Sequence, residues 1–343
     1  MVKVGILGVG FMGKMHFNVY SAYSRSRVVA LADLDPQKLA GDWSSIGGNI
    51  EDARAAQVDL SGLHLHETPE QLFADPDVDV VDITLPTFLH AKYAVAALEA
   101  GKHVVCEKPM ALRLAECDKM MAAARKARRQ LFIAHCVRFW PEYVVLKRLI
   151  DGGQHGEVLS ATFWRKSLTP TWSWDNWLMD RERSGGAVLD LHIHDTDFIH
   201  YVFGLPRKVR ASGVVGAVSK GGVDHIVADY VYPDGRQVTA EGSWAMAPGF
   251  GFTCGFCVVM EKATVEFDAK TGTPLTVHPL SGESTTPKVP SDDGYVAELR
   301  HFVRCISKGE DSDVVTPRDA RNAVAVCLAE ERAVKSGRNV TVR

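Results

Sequence analysis

The chain lacks the cysteine arrangement of a disulfide-stapled fold. Its seven cysteines are an odd number, and Cys106, Cys117, Cys136, Cys305 and Cys327 stand singly in apolar surroundings. Secreted scaffolds space their cysteines in even sets, so this usage points to a reducing compartment. The one close pair, Cys254-Gly255-Phe256-Cys257, lies in a strand-like run. Residues three apart on a strand face opposite ways, so the pair reads as two ordinary strand residues. Long apolar runs are also missing, and none approaches the roughly 18 residues that span a bilayer. No basic segment followed by an apolar stretch and a cleavage site precedes Val2–Leu7, so no secretory signal is read and the cytoplasm is the expected address. Nor does charge of one sign dominate. A formal net charge of -3 offers no general attraction to nucleic acid or anionic membranes. The expected partner is a small molecule.

What is present is a 343-residue chain with 46% apolar and 24% charged residues, ordinary for a globular protein and long enough for two domains. Strand and helix signals alternate through the first part. Val2–Leu7, Val28–Ala32, Val78–Leu85, His103–Cys106 and Leu131–Ala134 read as strands, while Gly13–Ala22, Leu89–Ala100 and Leu112–Arg128 read as helices. Such alternation implies a parallel sheet flanked by helices. The character changes near Arg138. After a helical Pro141–Asp151 come strand-like Val158–Trp164, Val209–Val218, Val223–Tyr232, Val238–Trp244, Thr253–Met260 and Ala263–Phe267, and then helices at Tyr295–Ser307 and Pro317–Ser336. Turn signals such as Pro233-Asp234-Gly235 separate the strands, as in hairpins. The expected architecture is an α/β Rossmann domain with a parallel sheet over residues 1–125. An α+β domain with a large, mostly antiparallel open sheet follows over residues 126–343.

Gly8-Val9-Gly10-Phe11-Met12-Gly13 follows the first strand and opens the first helix. Asp33 ends the next strand about twenty residues on, the spacing of a dinucleotide fingerprint. Gly8 permits the tight turn, Gly10 lets a pyrophosphate approach, and Gly13 lets helix and strand pack. The helix start then offers N–H groups to phosphate. A carboxylate at Asp33 accepts hydrogen bonds from ribose hydroxyls and repels a 2′-phosphate, and Leu34 and Asp35 beside it supply no cation. NAD is therefore favoured over NADP. Leu85, Pro86, Thr87 and His90 come just after one strand, and Glu107 and Lys108 just after another, at the sheet edge where such cofactors lie.

The densest chemistry is in Gly186–Asp197, where Asp190, His192, His194, Asp195, Thr196 and Asp197 interrupt an apolar run. A helix there sets Asp190 and His194 on one face, a carboxylate that can orient a proton-transferring imidazole. The same residues also invite a metal reading through His192, His194, Asp195 and Asp197. A His-x-His pair suits a metal on a strand, whereas on a helix its members diverge. With the cofactor half considered, no metal is expected.

Several of these segments together resemble the Gfo/Idh/MocA oxidoreductase family, named for glucose–fructose oxidoreductase and inositol dehydrogenase. They are Gly8-x-Gly10-x-x-Gly13-x-x-His16, Ala32-Asp33, Pro86-Thr87-x-x-His90, Glu107-Lys108-Pro109, Arg138-Phe139-x-Pro141 and Ser184-Gly185-Gly186-x-x-x-Asp190-x-x-x-His194. Many members carry glycine where this chain has His192. The resemblance implies an NAD(P)-dependent dehydrogenase moving hydride between the nicotinamide and a secondary alcohol or ketone of a sugar, sugar derivative or cyclic polyol. Lys108, Asp190 and His194 become its catalytic set. Chemically, His194 suits the general base, Asp190 its orienting partner and Lys108 the hydrogen-bond donor to the reacting oxygen; Lys108 is the alternative proton acceptor. Cofactor contacts are expected from Gly8, Gly10, Phe11, Met12, Gly13, Asp33, Leu85, Pro86, Thr87, His90, Glu107 and Lys108. Arg138, Trp174 and Asn176 are expected substrate contacts, an indole face suiting the apolar side of a sugar ring. An NAD-dependent glycosidase of the same family and a dinucleotide-sensing regulator are the alternatives. The family also implies a homodimer or homotetramer formed through the second sheet.

Overall fold

Six short segments, most of them apolar on both faces, build the expected parallel sheet in the computed structural model, which describes residues 1–48 and 56–342. They are Val2–Leu7 (β1), Ser26–Ala32 (β2), His64–His66 (β3), Val80–Ile83 (β4), His103–Glu107 (β5) and Leu131–Ala134 (β6). Their order is β3-β2-β1-β4-β5-β6, every pair parallel. Full burial of β4 and β6 is what helices on both faces of a sheet produce. The strand order reverses between β1 and β4, opening a crevice at their carboxyl ends. Helices Phe11–Ala22 (α1), Pro36–Leu39 (α2), Pro69–Ala74 (α3), Thr87–Glu99 (α4) and Leu114–Ala127 (α5) join the strands. At α3, Thr68 and Gln71 cap each other's backbone N–H groups, with Pro69 in the first turn.

The chain then forms Pro141–Asp151 (α6), Val158–Leu168 (β7), Arg181–Ser184 (α7), a single π turn over Val188–His192, and Ile193–Phe203 (α8). Lys208–Val215 (β8), Val223–Val231 (β9), Gln237–Met246 (β10), Thr253–Met260 (β11), Ala263–Asp268 (β12) and Thr273–Pro279 (β13) follow. Gly294–Lys308 (α9), Pro317–Ser336 (α10) and Val340–Thr341 (β14) close the chain. The second sheet runs β13-β12-β11-β7-β10-β9-β8-β14. Its pairs are antiparallel except β7 with β10, which are parallel. Two compact units result. One holds Met1–His135, Trp172–Trp177 and Tyr295–Arg321; the other holds Cys136–Thr171, Leu178–Gly294 and Asn322–Arg343. On β11, Cys254 is fully buried and Cys257 only half-buried, as alternation along a strand requires.

Within the second unit, α8 carries charge into the core, and each charge is answered. Arg165 of β7 donates through Nε and Nη2 to the two Asp195 oxygens at 3.1 and 3.2 Å, and through Nη2 to Tyr143 Oη at 3.3 Å. Arg138 donates to both oxygens of Asp197 at 2.8 and 2.7 Å. All four side chains are essentially excluded from water. Burial pushes the Asp195 carboxyl up, and the Arg165 guanidinium pulls it back. Asp195 also stands in the first turn of α8, where the helix dipole favours negative charge. Behind the helix, Thr196 Oγ1 donates to Glu330 Oε1 at 3.2 Å and lies 3.0 Å from Tyr230 Oη. His192 Nε2 is 3.5 Å from Glu330 Oε2. Its ring lies flat on β10 at Gly242, where a Cβ would come within 2.6 Å of Nδ1. Burial pushes Glu330 up to about 7 and His192 down to about 3, so this contact joins groups that carry little charge.

Two stability effects follow. Removing one partner of a buried pair strands the other charge, so Asp195→Asn should destabilise the fold by about 3 kcal/mol in urea unfolding. Replacing both Arg165 and Asp195 by apolar residues should recover most of that loss. A single-variant cost under about 1 kcal/mol contradicts the pairing described. The second effect depends on pH. Unfolding takes up a proton at residue 192 between pH 3 and 6.5, which makes stability rise with pH; it releases one from Glu330 between pH 4.5 and 7, which makes stability fall. The Glu330→Gln protein should therefore gain on the wild type as pH climbs from 4.5 to 7, by up to ~1.4 kcal/mol per pH unit. A pH-independent difference between the two proteins would show that Glu330 is not held protonated.

Candidate functional site

In the first unit the glycine loop has the geometry its sequence implies. Gly8 sits at φ +96°, where a side chain is strained, and a Cβ on Gly13 would strike the Gly8 carbonyl oxygen. A Cβ on Gly10 would meet nothing within 4 Å, so the space in front of the loop is open to a ligand. Gly10 is the N-cap of α1. No side chain caps that end, and no acidic residue occupies the first turn. The first N–H groups thus form an anion-binding end, flanked by half-buried Phe11 and Met12. Asp33 Oδ2 accepts from Val9 N at 2.6 Å and Oδ1 from Asp35 N at 2.9 Å, so the carboxylate is fixed against the loop. Thr84 Oγ1 anchors the other side by donating to Gly8 O at 2.6 Å. An open cradle, a bare helix start and a fixed carboxylate suit the pyrophosphate and ribose hydroxyls of NAD. One neighbour was not visible in the residues beside Asp33: Lys38 Nζ lies 3.8 Å from Asp33 Oδ2, brought back by α2.

Leu85 and Pro86 are half-buried and Thr87 is buried. His90 is buried with Nδ1 2.8 Å from Pro109 O and Nε2 2.8 Å from Leu85 O. Burial lowers its pKa. Both ring nitrogens are thus engaged with backbone, tying together the loops that follow β4 and β5. Glu107, at the end of β5, accepts from Lys108 N through Oε2 at 2.9 Å. Its Oε1 is 3.3 Å from His16 Nε2, and His16 Nδ1 is 2.7 Å from Asp82 Oδ2. Lys108 itself is half-buried. His16 belonged to the recognised motif, but nothing in its spacing announced these two carboxylates. Trp174 and Asn176 group with this unit. Trp174 is 62% exposed, and Asn176, also exposed, has φ 48°.

In the second unit, Gly186–Asp197 separates into two sets. His192, Asp195, Thr196 and Asp197 are buried in the network described above. Asp190, in the π turn, and His194, in the first turn of α8, are half-buried. A π turn is rare and marks functional positions more often than chance. The substrate contact expected of Arg138 meets a different geometry: the side chain is 2% exposed, chelates Asp197 and stacks 4.4 Å from the Tyr201 ring centroid. The carboxylates of the metal reading, Asp195 and Asp197, are likewise held by arginines. Among the described residues, ligand atoms that could share an ion gather at His64, His66 and Asp75, where both imidazoles contact Asp75 Oδ2 at 2.7 and 3.0 Å. None of the described helices is long and apolar enough to cross a membrane.

Comparison with known proteins matches this arrangement. Residues 2–135 fit the model of the oxidoreductase family with an NAD-binding Rossmann fold, and residues 143–266 fit the GFO/IDH/MocA C-terminal domain. Myo-inositol 2-dehydrogenase of Thermotoga maritima is 26% identical over 99% of this chain and 98% of its own length. 1,5-Anhydro-D-fructose reductase of Ensifer adhaerens is 30% identical over 78% of this chain and 81% of its own. A levoglucosan dehydrogenase solved with NADH and levoglucosan shares the fold at a TM-score of 0.83, with 21% identity and 99% of both chains covered. The chain is a member of the Gfo/Idh/MocA family, an NAD(P)-dependent oxidoreductase of CH–OH groups that uses NAD.

Proposed function

We propose that this protein transfers hydride between NAD and a secondary alcohol or ketone of a sugar, sugar derivative or cyclic polyol. The observation that carries this reading is the sorting of Gly186–Asp197. His192, Asp195 and Asp197 are buried in the core, with Asp195 and Asp197 held by arginines, while Asp190 and His194 are half-buried and reach its edge. The relatives act, by their names, on an inositol and an anhydro sugar, which supports a polyhydroxylated substrate. The unit that holds Met1–His135 carries the cofactor, and the unit that holds Leu178–Gly294 contributes Asp190 and His194 to the substrate side.

Bound NAD supplies the hydride acceptor. His194 removes the hydroxyl proton, and Asp190 orients the imidazole and steadies its charged form. The Lys108 ammonium donates to the reacting oxygen and favours its growing negative charge. Exposed Trp174 offers its indole face to the sugar ring, with Asn176 beside it. Arg138 works one step back, holding α8 through Asp197. The half-buried Phe11 and Met12 line the phosphate end together with Gly8, Gly10 and Gly13. Leu85, Pro86 and Thr87 form the wall held by His90.

The subunits are proposed to pair through the second sheet as a dimer or tetramer. Val214, Val227, Val231 and Val259 are all exposed, and the strand register turns them to one face. Thr162, Asp229, Thr239 and Glu241 share that face, so the contact would be a mixed apolar and polar one. Light scattering at micromolar concentration should report at least twice the chain mass; a monomer there refutes the pairing.

The activity itself is tested by screening inositols, aldoses and anhydrosugars with NAD and NADP, following absorbance of the reduced cofactor. Net NADH formation with NAD preferred is expected. Glycoside cleavage without net NADH would instead assign the glycosidase chemistry. On the best substrate, His194→Ala should lower kcat about 10²–10⁴-fold while NAD affinity stays within about threefold. A pH profile of the Lys108→Ala protein that keeps the wild-type basic group leaves His194 as the base, whereas loss of that group transfers the role to Lys108.

A further inference from the structure

We propose that His16 is a positioning residue for Lys108, acting through Glu107. The inference rests on the reading above that the Lys108 ammonium meets the reacting oxygen. His16 lies one turn beyond Gly13 on α1, so it ties the phosphate-binding helix to the ends of two central strands. Its ring is fully buried between Asp82 of β4 and Glu107 of β5. Nδ1 is hydrogen-bonded to Asp82 Oδ2 at 2.7 Å, and Nε2 makes an ion-pair contact with Glu107 Oε1 at 3.3 Å. The other Glu107 oxygen accepts the backbone N–H of Lys108. One continuous path therefore runs from α1 to the residue that carries the ammonium.

The geometry requires a particular charge state. A neutral ring donating to Asp82 through Nδ1 would turn the Nε2 lone pair toward a buried carboxylate 3.3 Å away. An imidazolium faces both carboxylates favourably, the Nε2–Oε1 approach being an ion-pair contact and not a hydrogen bond, and its charge offsets theirs in a dry interior. Burial works against that charge, and Asp82 and Glu107 outweigh it, pushing His16 up to about 10. Burial likewise drives Glu107 up, but His16 and Lys108 pull it below its ordinary value. The other groups facing this cluster do not replace the imidazolium. Tyr20 meets the ring edge-on at 6.3 Å, and its phenol is held neutral by burial, with Asp82, Glu298 of α9 and Glu107 adding to the effect. Cys106 is a buried neutral thiol. His90 is occupied by two backbone carbonyls, and burial lowers its pKa. Without His16, the Glu107 carboxylate loses its cation on the buried side and protonates more readily, and the Lys108 backbone loses its charged acceptor.

The experiment measures kcat, KM and NAD affinity against pH for the full-length enzyme, its His16→Gln, Asp82→Asn, Glu107→Gln and Lys108→Ala forms, and the His16→Gln, Glu107→Gln double variant. His16→Gln should lower kcat at least tenfold near neutrality and move the acid limb of the kcat profile up by at least one pH unit. NAD affinity should stay within threefold. Asp82→Asn removes the carboxylate hydrogen-bonded to His16 Nδ1, so it should shift the limb the same way by less; it also reads the coupling if the glutamine variant does not fold. Glu107→Gln should abolish the acid limb's sensitivity to residue 16, making the double variant no worse than Glu107→Gln alone. Lower thermal stability with kcat and its acid limb unchanged in both His16→Gln and Asp82→Asn overturns the proposal, leaving His16 a packing residue. Retained activity in Lys108→Ala refutes instead the reading of Lys108 on which the proposal rests.

Discussion

A carboxylate taken out of water must find a cation or give up its charge, and this constraint organises both units of the chain. In the second unit it fixes α8: Asp195 and Asp197 enter the core only because Arg165 and Arg138 meet them with two hydrogen bonds each. A helix held at two successive polar positions cannot slide by a residue without breaking both pairs. Asp190 and His194 sit on the same continuous helical segment, so their direction is inherited from those arginines. Glu330 shows the other solution. No arginine meets it, and it is pushed up to about 7, close to the point at which it carries a proton instead of a charge.

The same rule explains why the first unit can hold charge next to a sheet built from apolar strands. Asp82 lies in β4 with no exposure, where a parallel sheet covered on both faces should tolerate only hydrocarbon. It is tolerated because α1 delivers His16 to it. Glu107 is answered on its buried side by the same ring and on its loop side by the Lys108 N–H. Asp33 is handled differently again, by backbone N–H groups of Val9 and Asp35 with Lys38 nearby. That arrangement leaves its remaining lone pairs for hydroxyl groups.

The fold was legible where a physical signal is local. The strand-to-helix glycine loop, the apolar strands β1, β4 and β6, and the change to hairpins after Arg138 each follow from residue type and spacing, and the boundaries of β6, β11, α6 and α10 agree with the expected ones to the residue. What was not legible depends on partners far away in the chain. β3 has three residues and two of them are exposed, so no hydrophobic pattern marks it; its place comes from pairing with β2 and from the contacts of His64 and His66 with Asp75. α3 has only one turn and a half of helix, and its capping box was the sole local sign. The parallel pairing of β7 with β10 inside an otherwise antiparallel sheet joins segments nearly eighty residues apart, which alternation along either strand cannot reveal.

The site was legible to the same degree and for the same reason. Residue types picked out Asp190, His194 and Lys108, but the division of Gly186–Asp197 into buried and half-buried groups required knowing which arginines arrive. Arg138 was expected among the substrate contacts, and the fold buries it against Asp197. His192 looked like a possible ligand and turns out to be a nearly uncharged ring lying on Gly242; the absence of a Cβ at residue 242 is what makes room for it. At position 192 a larger side chain is accommodated by a glycine on the facing strand, so His192 follows from local packing and leaves the half-buried pair Asp190 and His194 unaltered.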